Sequence, residues 1–145
     1  KLADYYGIKF SGKKVTIIGR SLIVGKPLSL LLTNKNATVT LCHSKTKDLE
    51  LITKSCDIII TAIGLPNFLE PKHLSDHHNQ IVIDVGINRL NKKTVGDVNY
   101  ELVKNKVKSI TPVPGGVGPM TVLSLANNLV RAAEYLCSHS SGKEK

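Results

Sequence analysis

The sequence predicts the α/β class: a doubly wound, mostly parallel five-stranded sheet with helices on both faces. Three observations carry this. Short β-branched runs alternate with helical stretches along the chain. The runs are continuously apolar, as in parallel strands covered on both faces. Gly- and Pro-rich segments follow Ile18, Ile63, Val85 and Val113, which is where a parallel sheet holds its ligands.

Val15-Thr16-Ile17-Ile18 is the first strand and ends at Gly19. A helix covers Pro27 to Thr33, because Lys26-Pro27 suits a helix's first turn. Thr38 to Leu41 is the second strand and Asp48 to Ser55 a short helix. Asp57 to Thr61 is the third strand, stopped by Gly64-Leu65-Pro66. Pro71 to Leu74 opens a short helix, and Ile81 to Ile83 is a fourth strand ending at Asp84-Val85-Gly86. Ile87 to Val98 is irregular, a loop or a hairpin, and Asn99 to Asn105 is helical. Ser109 to Thr111 is the fifth strand. A long helix runs from Pro119 to about Cys137, with Val122, Leu125, Ala126, Leu129 and Ala133 at helical spacing. Lys1 to Tyr6 reads as the last turns of a helix. The organisation is therefore the end of a linking helix over 1–10, a nucleotide-binding domain over 11–137 and a polar, fraying tail over 138–145.

The chain has 145 residues, the size of one domain. That is enough to bury a core without disulfides or metal. Lys and Arg number 20 against 11 Asp and Glu, a net charge of +9, which points to an anionic partner. The lysines are scattered, and the chain has no Trp, two Phe and four Tyr, too few aromatic faces for base stacking. No nucleic acid is expected as partner. No apolar run is long enough to span a bilayer, so no membrane partner is expected either. Cys42, Cys56 and Cys137 are odd in number and lack C-x-x-C spacing. The five histidines lack H-E-x-x-H, and His73, His77 and His78 read as a polar turn. Neither a disulfide nor a metal is expected, and a reducing, cytoplasmic setting is, with an organellar form left open.

The first strand leads into the first helix through Gly19-Arg20-Ser21-Leu22-Ile23-Val24-Gly25-Lys26-Pro27. In a Rossmann-like domain this turn holds the pyrophosphate, because glycine admits close backbone approach and helix N-terminal N–H groups favour anions. The spacing departs from G-x-G-x-x-G: Ser21 stands at the middle glycine and the last glycine comes late, at Gly25. Domains that select NAD carry an acidic residue about 20 residues further on, on the ribose 2′-hydroxyl. Here the second strand ends in Cys42-His43-Ser44-Lys45-Thr46-Lys47 with no carboxylate, and Arg20, Lys45 and Lys47 are at hand. A carboxylate would repel a 2′-phosphate and basic groups would hold it, so the residues favour NADP over NAD. The stretch Thr111 to Thr121 is the most unusual. Its prolines fix the backbone and its glycines bare it, giving a shaped loop that can line a flat ligand with main chain alone.

Five strings occur in order: Gly19-Arg20-Ser21-x-x-Val24-Gly25-x-Pro27; Ala37-Thr38-Val39-Thr40-x-Cys42-His43-Ser44-Lys45-Thr46; Val82 to Arg89; Val95-Gly96-Asp97-Val98; and Thr111 to Thr121. Together they resemble the NADP-binding domain of methylenetetrahydrofolate dehydrogenase/cyclohydrolase, the FolD-type bifunctional folate enzyme, over about Phe10 to Leu136. The resemblance implies oxidation of 5,10-methylenetetrahydrofolate by hydride transfer to NADP, then hydrolysis to 10-formyltetrahydrofolate. It implies cofactor contacts at Gly19, Arg20, Ser21, Ser44, Ile87 and Thr121, with Arg20 and Ser44 facing the 2′-phosphate. It places Pro114, Gly115, Gly116, Val117 and Gly118 beside the folate substrate, and it implies a homodimer.

In that family the catalytic Tyr-x-x-x-Lys and a nearby Asp lie in an amino-terminal domain that precedes this segment. Tyr100 and Lys104 have the same spacing but follow Val-Gly-Asp-Val and read as an ordinary helix face. No catalytic residue is therefore assigned, and the chain alone is expected to have little or no dehydrogenase or cyclohydrolase activity. Two other readings are an NAD-dependent, dehydrogenase-only relative and a non-catalytic nucleotide-binding module. The absence of an acidic residue after the second strand disfavours the first. The helix cut short at Lys1 to Tyr6 disfavours the second.

Overall fold

The computed structural model describes residues 1–140. A short helix, α1 (Leu2–Tyr5), precedes β1 (Lys14–Ile18), α2 (Gly25–Asn34), β2 (Thr38–Cys42), α3 (Leu49–Lys54) and β3 (Ile58–Thr61). A 3-10 turn (Pro71–His73) leads to β4 (Ile81–Asp84), and a hairpin follows from β5 (Asn88–Leu90) and β6 (Lys93–Val95). The chain then forms α4 (Tyr100–Val103), β7 (Ser109–Ile110) and α5 (Val117–Ser140). The irregular stretch after β4 thus resolves into a hairpin. Its turn residues Asn91 and Lys92 take φ of 48° and 65°, the left-handed pair that a two-residue hairpin turn requires.

The main sheet has the order β2-β1-β3-β4-β7 with every neighbour parallel. The chain steps outward from β1 to β2, then returns to the other side of β1 for β3. The strand order therefore reverses between β1 and β3, which is the crevice where such sheets take ligands. Ile58, Ile59 and Ile60 make the strand at this point buried on both faces. Ile58 and Ile60 join Phe10, Val15, Ile17, Leu32 and Ala37 under α2. Ile59 joins Ile18, Cys56, Leu69, Leu74, Val82, Val98 and Val103 on the opposite face, beneath α3 and α4.

Two buried polar side chains fasten the second face. The Gln80 amide donates to the carbonyls of Thr53 (2.7 Å) and Cys56 (2.9 Å), and its oxygen accepts the Ser75 N–H at 2.7 Å. His73 lies buried, its ring stacked on Phe68 and its Nδ1 3.1 Å from the Glu70 amide. The polar turn expected around His73, His77 and His78 is thus split. His73 caps the 3-10 turn from inside while His77 and His78 are exposed. Pro71 fixes that turn's entry and Phe68 gives the imidazole an apolar wall, which the local polarity of the sequence hides.

The long helix differs from expectation at both ends and in its packing. It starts at Val117 rather than Pro119 and continues through Ser140, so the first residues of the expected polar tail are helical. Residues 141–145 lie outside the described part. Its apolar stripe does not cover the sheet: Val122, Leu125 and Leu129 are 70%, 71% and 71% exposed, and Ala126 and Ala133 are exposed too. Periodicity tells which side of a helix is apolar, not what lies against it.

Candidate functional site

Gly19 leaves β1 with its N–H on the Cys42 carbonyl at 2.9 Å, so the first loop opens beside the end of β2. The Ser21 hydroxyl oxygen accepts the amides of Val24 (3.1 Å) and Gly25 (3.3 Å), and the Lys26 N–H donates to the Ser21 carbonyl at 3.0 Å. These bonds curl the loop into the start of α2. Among the described residues no acceptor meets the backbone N–H groups of Arg20, Ser21, Leu22 or Ile23. Free amides on exposed residues at the positive end of a helix, at the switch point, are what a bound anion such as a pyrophosphate needs.

The end of β2 supplies the neighbouring wall. Ile18 pairs in register with Cys42, so Arg20 and Ser44 each stand two residues past one directly opposed couple. The turn carrying Ser44 is closed by its own groups. The Thr46 N–H donates to the His43 carbonyl (2.8 Å), the His43 N–H to the Thr46 hydroxyl (2.9 Å) and the Lys45 N–H to His43 Nδ1 (3.1 Å). Arg20, Ser44 and Lys45 are left exposed at the edge of the loop. Cys42 beneath them is buried and burial pushes its thiol up, which keeps it protonated and inert.

The Pro-Gly segment forms the other wall. Its Val113–Pro114 peptide bond is cis. A cavity of about 170 Å³ is lined by Asp84 to Ile87, Thr94 and Pro112 to Pro119. Ile87 and the run Pro114, Gly115, Gly116, Val117 and Gly118 therefore meet around one small space, while Gly19, Arg20, Ser21 and Ser44 gather at the ends of β1 and β2. Thr121 does not line this cavity. It sits on the exposed side of α5 with its hydroxyl 3.5 Å from the Val117 carbonyl.

Two residues that carry no role in the sequence reading organise this wall. Asp84, at the end of β4, accepts from the Thr61 hydroxyl (3.1 Å) and from the amides of Gly86 (2.9 Å), Asp97 (3.1 Å) and Val98 (2.9 Å). Its own N–H donates to the Thr111 hydroxyl at 2.8 Å. Burial pushes the Asp84 carboxyl above its ordinary value, and the amides of Val98, Asp97 and Gly86 offset only part of that rise. Asp97 accepts from Ile63 N (2.7 Å), Gly64 N (3.1 Å) and Asn88 Nδ2 (2.9 Å). The available signal was two aspartates beside glycines, in Asp84-Val85-Gly86 and Gly96-Asp97.

Lys104 is turned away from all of this. Its ammonium pairs with Glu101 at 2.6 Å and lies 5.9 Å from the Tyr100 ring centre, an ordinary exposed helix face. Among the described residues no group of three or more His, Cys, Asp or Glu is placed to hold a metal, and no helix is long and apolar enough to cross a membrane.

A parallel sheet whose strand order reverses beside an amide-lined helix N-terminus defines a Rossmann-like nucleotide-binding domain. The family model for the tetrahydrofolate dehydrogenase/cyclohydrolase NAD(P)-binding domain matches residues 1–137, and the chain belongs to that family. It is 52% identical over 134 residues to the bifunctional protein FolD of Dictyoglomus thermophilum, covering 92% of this chain and 47% of that protein. It is 49% identical to the crystal structure of the bifunctional FolD methylenetetrahydrofolate dehydrogenase/cyclohydrolase of Campylobacter jejuni. The TM-score there is 0.87, with 92% of this chain and 47% of that one covered. The Trypanosoma brucei methylenetetrahydrofolate dehydrogenase-cyclohydrolase, solved with NADP cofactor and inhibitor, matches at 37% identity and a TM-score of 0.80, over 89% of this chain and 46% of that one. The chain spans about half the length of the curated relatives it matches.

Proposed function

We propose that this chain is the NADP-binding half of a bifunctional methylenetetrahydrofolate dehydrogenase/cyclohydrolase. The observation that carries the reading is the pairing of free amides at Arg20 to Ile23 with a carboxylate-free β2 exit bearing Ser44 and Lys45. The amides and the N-terminus of α2 bind the pyrophosphate. Arg20 and Ser44 take the 2′-phosphate that an NAD-type acidic residue would repel. Ile87 and Pro114 to Gly118 line the nicotinamide and pterin side and exclude water there. When bound, NADP supplies the hydride acceptor by which 5,10-methylenetetrahydrofolate becomes the 5,10-methenyl form, which water then opens to 10-formyltetrahydrofolate. No catalytic proton transfer is assigned to this chain's residues. The bare apolar stripe of α5 supports packing against the remaining half of a longer polypeptide. The whole enzyme is read as a cytoplasmic homodimer, testable by sedimentation and fractionation.

Calorimetric titration with NADP and NAD tests the reading. NADP binds more tightly, and Arg20→Ala removes that preference, a loss of roughly tenfold to hundredfold in NADP affinity for one charge-assisted contact. Equal binding of both nucleotides, or a preference untouched by Arg20→Ala, overturns the 2′-phosphate assignment.

A further inference from the structure

We propose that Asp97 is a positioning residue that fixes the nicotinamide-side lip of the nucleotide cleft. This rests on the reading that the cleft holds NADP. Asp97 is 0% exposed, yet it lies in the loop after the β5–β6 hairpin, far in sequence from what it holds. Its Oδ2 gathers the consecutive amides of Ile63 and Gly64, at the exit of β3. Its Oδ1 takes the side-chain amide of Asn88, the residue after Ile87. One carboxylate thus ties the β3 exit to the β4 exit.

The surroundings show that this is a built clamp. The Asp97 N–H is held by Asp84, which also holds Gly86 and Val98. Gly86 lies so close to the Asp97 carboxylate that a Cβ there would overlap it. The Asp97 carbonyl accepts the Leu69 N–H at 2.9 Å, so the chain beyond Gly64 is fastened by the same residue. Ile63 is only half-buried and Gly64 is exposed, so the lip faces the cleft while its anchor is hidden.

The direction of the nucleotide says which half this lip serves. The ribose 2′ position belongs at the end of β2 and the pyrophosphate at the β1–α2 turn. The sheet order β2-β1-β3-β4 then lays the other half of the dinucleotide over the exits of β3 and β4. Asp97 holds both exits, and among the described residues its carboxylate bonds Ile63, Gly64 and Asn88 rather than Arg20 or Ser44.

The test titrates wild type and Asp97→Ala with NADP and with adenosine 2′,5′-bisphosphate, which carries the 2′-phosphate end but no nicotinamide. In Asp97→Ala the freed amides release the lip, and NADP affinity falls about tenfold or more, the scale of a lost hydrogen bond to a charged group. Bisphosphate affinity stays within about twofold. A merely structural role would lower both ligands together or neither, and either result overturns the proposal. Asp97→Asn discriminates poorly, because Asn88 can flip its amide and restore the bond. If Asp97→Ala does not fold by circular dichroism, Asn88→Ala removes one arm of the clamp. It must show the same split at smaller size, and equal losses overturn the proposal. Failure of wild type to bind either nucleotide overturns the NADP reading itself, whereas wild-type binding with an unsplit variant overturns only the role of Asp97.

Discussion

Gly25 stands against the carbonyl oxygen of Gly19 so closely that a Cβ on Gly25 would overlap it. The late glycine of the first loop therefore does the work of close packing, not of an unusual backbone angle. Alanine at a helix's first turn normally gains up to about 1 kcal/mol over glycine. Here the sign reverses, because the displaced atom is backbone. Gly25→Ala should destabilise the domain by about 1–3 kcal/mol, the cost of overpacking. It should also weaken NADP binding by about tenfold, as the amides of Arg20 to Ile23 move with the loop. Chemical denaturation and calorimetric titration of the same variant read the two effects. A more stable Gly25→Ala would mean that the loop yields freely and that its geometry is not imposed by this contact.

The elements were legible where local chemistry and tertiary burial agree. Ile58-Ile59-Ile60 reads as a strand covered on both sides, and the structure buries all three beside β1. Arg20 was legible as a basic group close to a carboxylate-free β2 exit, whereas Ser44 entered only through the family resemblance; the register sets both two residues past the Ile18–Cys42 couple. Asp84 and Asp97 were not legible. Their partners are backbone amides of residues 13 to 34 positions away, together with Gly86, Thr61 and Asn88, and a sequence names donors without saying which loop delivers them. The inward turn of His73 was hidden for the same reason, since Phe68 and Glu70 reach it only once the 3-10 turn has formed.

That buried histidine gives the domain a pH dependence with a definite sign. Burial pushes the His73 imidazole below its ordinary pKa of about 6.5, and Lys72 adds to the effect while Glu50, Glu70 and the Glu70 backbone oppose it. The folded form therefore binds fewer protons than the unfolded chain in this range. Stability is full above about pH 6.5 and is lost as pH falls from there through the depressed folded value. His73→Gln keeps a polar group for the Glu70 amide and removes the titration. Urea unfolding between about pH 7.5 and pH 5 should slope downward for wild type and run flatter for His73→Gln. Equal slopes would assign the acid sensitivity to other groups.

Leu125 and Leu129 distinguish a helix that packs within this domain from one that offers its apolar side elsewhere. Both are 71% exposed, and Val122, Leu123, Val130 and Leu136 on the same helix are more than half exposed as well. A buried leucine truncated to alanine costs about 2–5 kcal/mol, part transfer and part cavity. On an exposed helix surface the same change is nearly neutral, because alanine is at least as good a helix former as leucine. Leu125→Ala with Leu129→Ala should therefore leave the unfolding free energy of this chain within about 0.5 kcal/mol. In the longer polypeptide the pair should cost several times more, provided the other half covers the stripe as proposed. Denaturation of the chain and of the longer polypeptide, each with and without the two substitutions, decides it. A loss of about 2 kcal/mol or more in the chain alone would show that α5 already packs here. Near-neutrality in both would leave the stripe without an internal partner and remove the support α5 lends to the two-part enzyme.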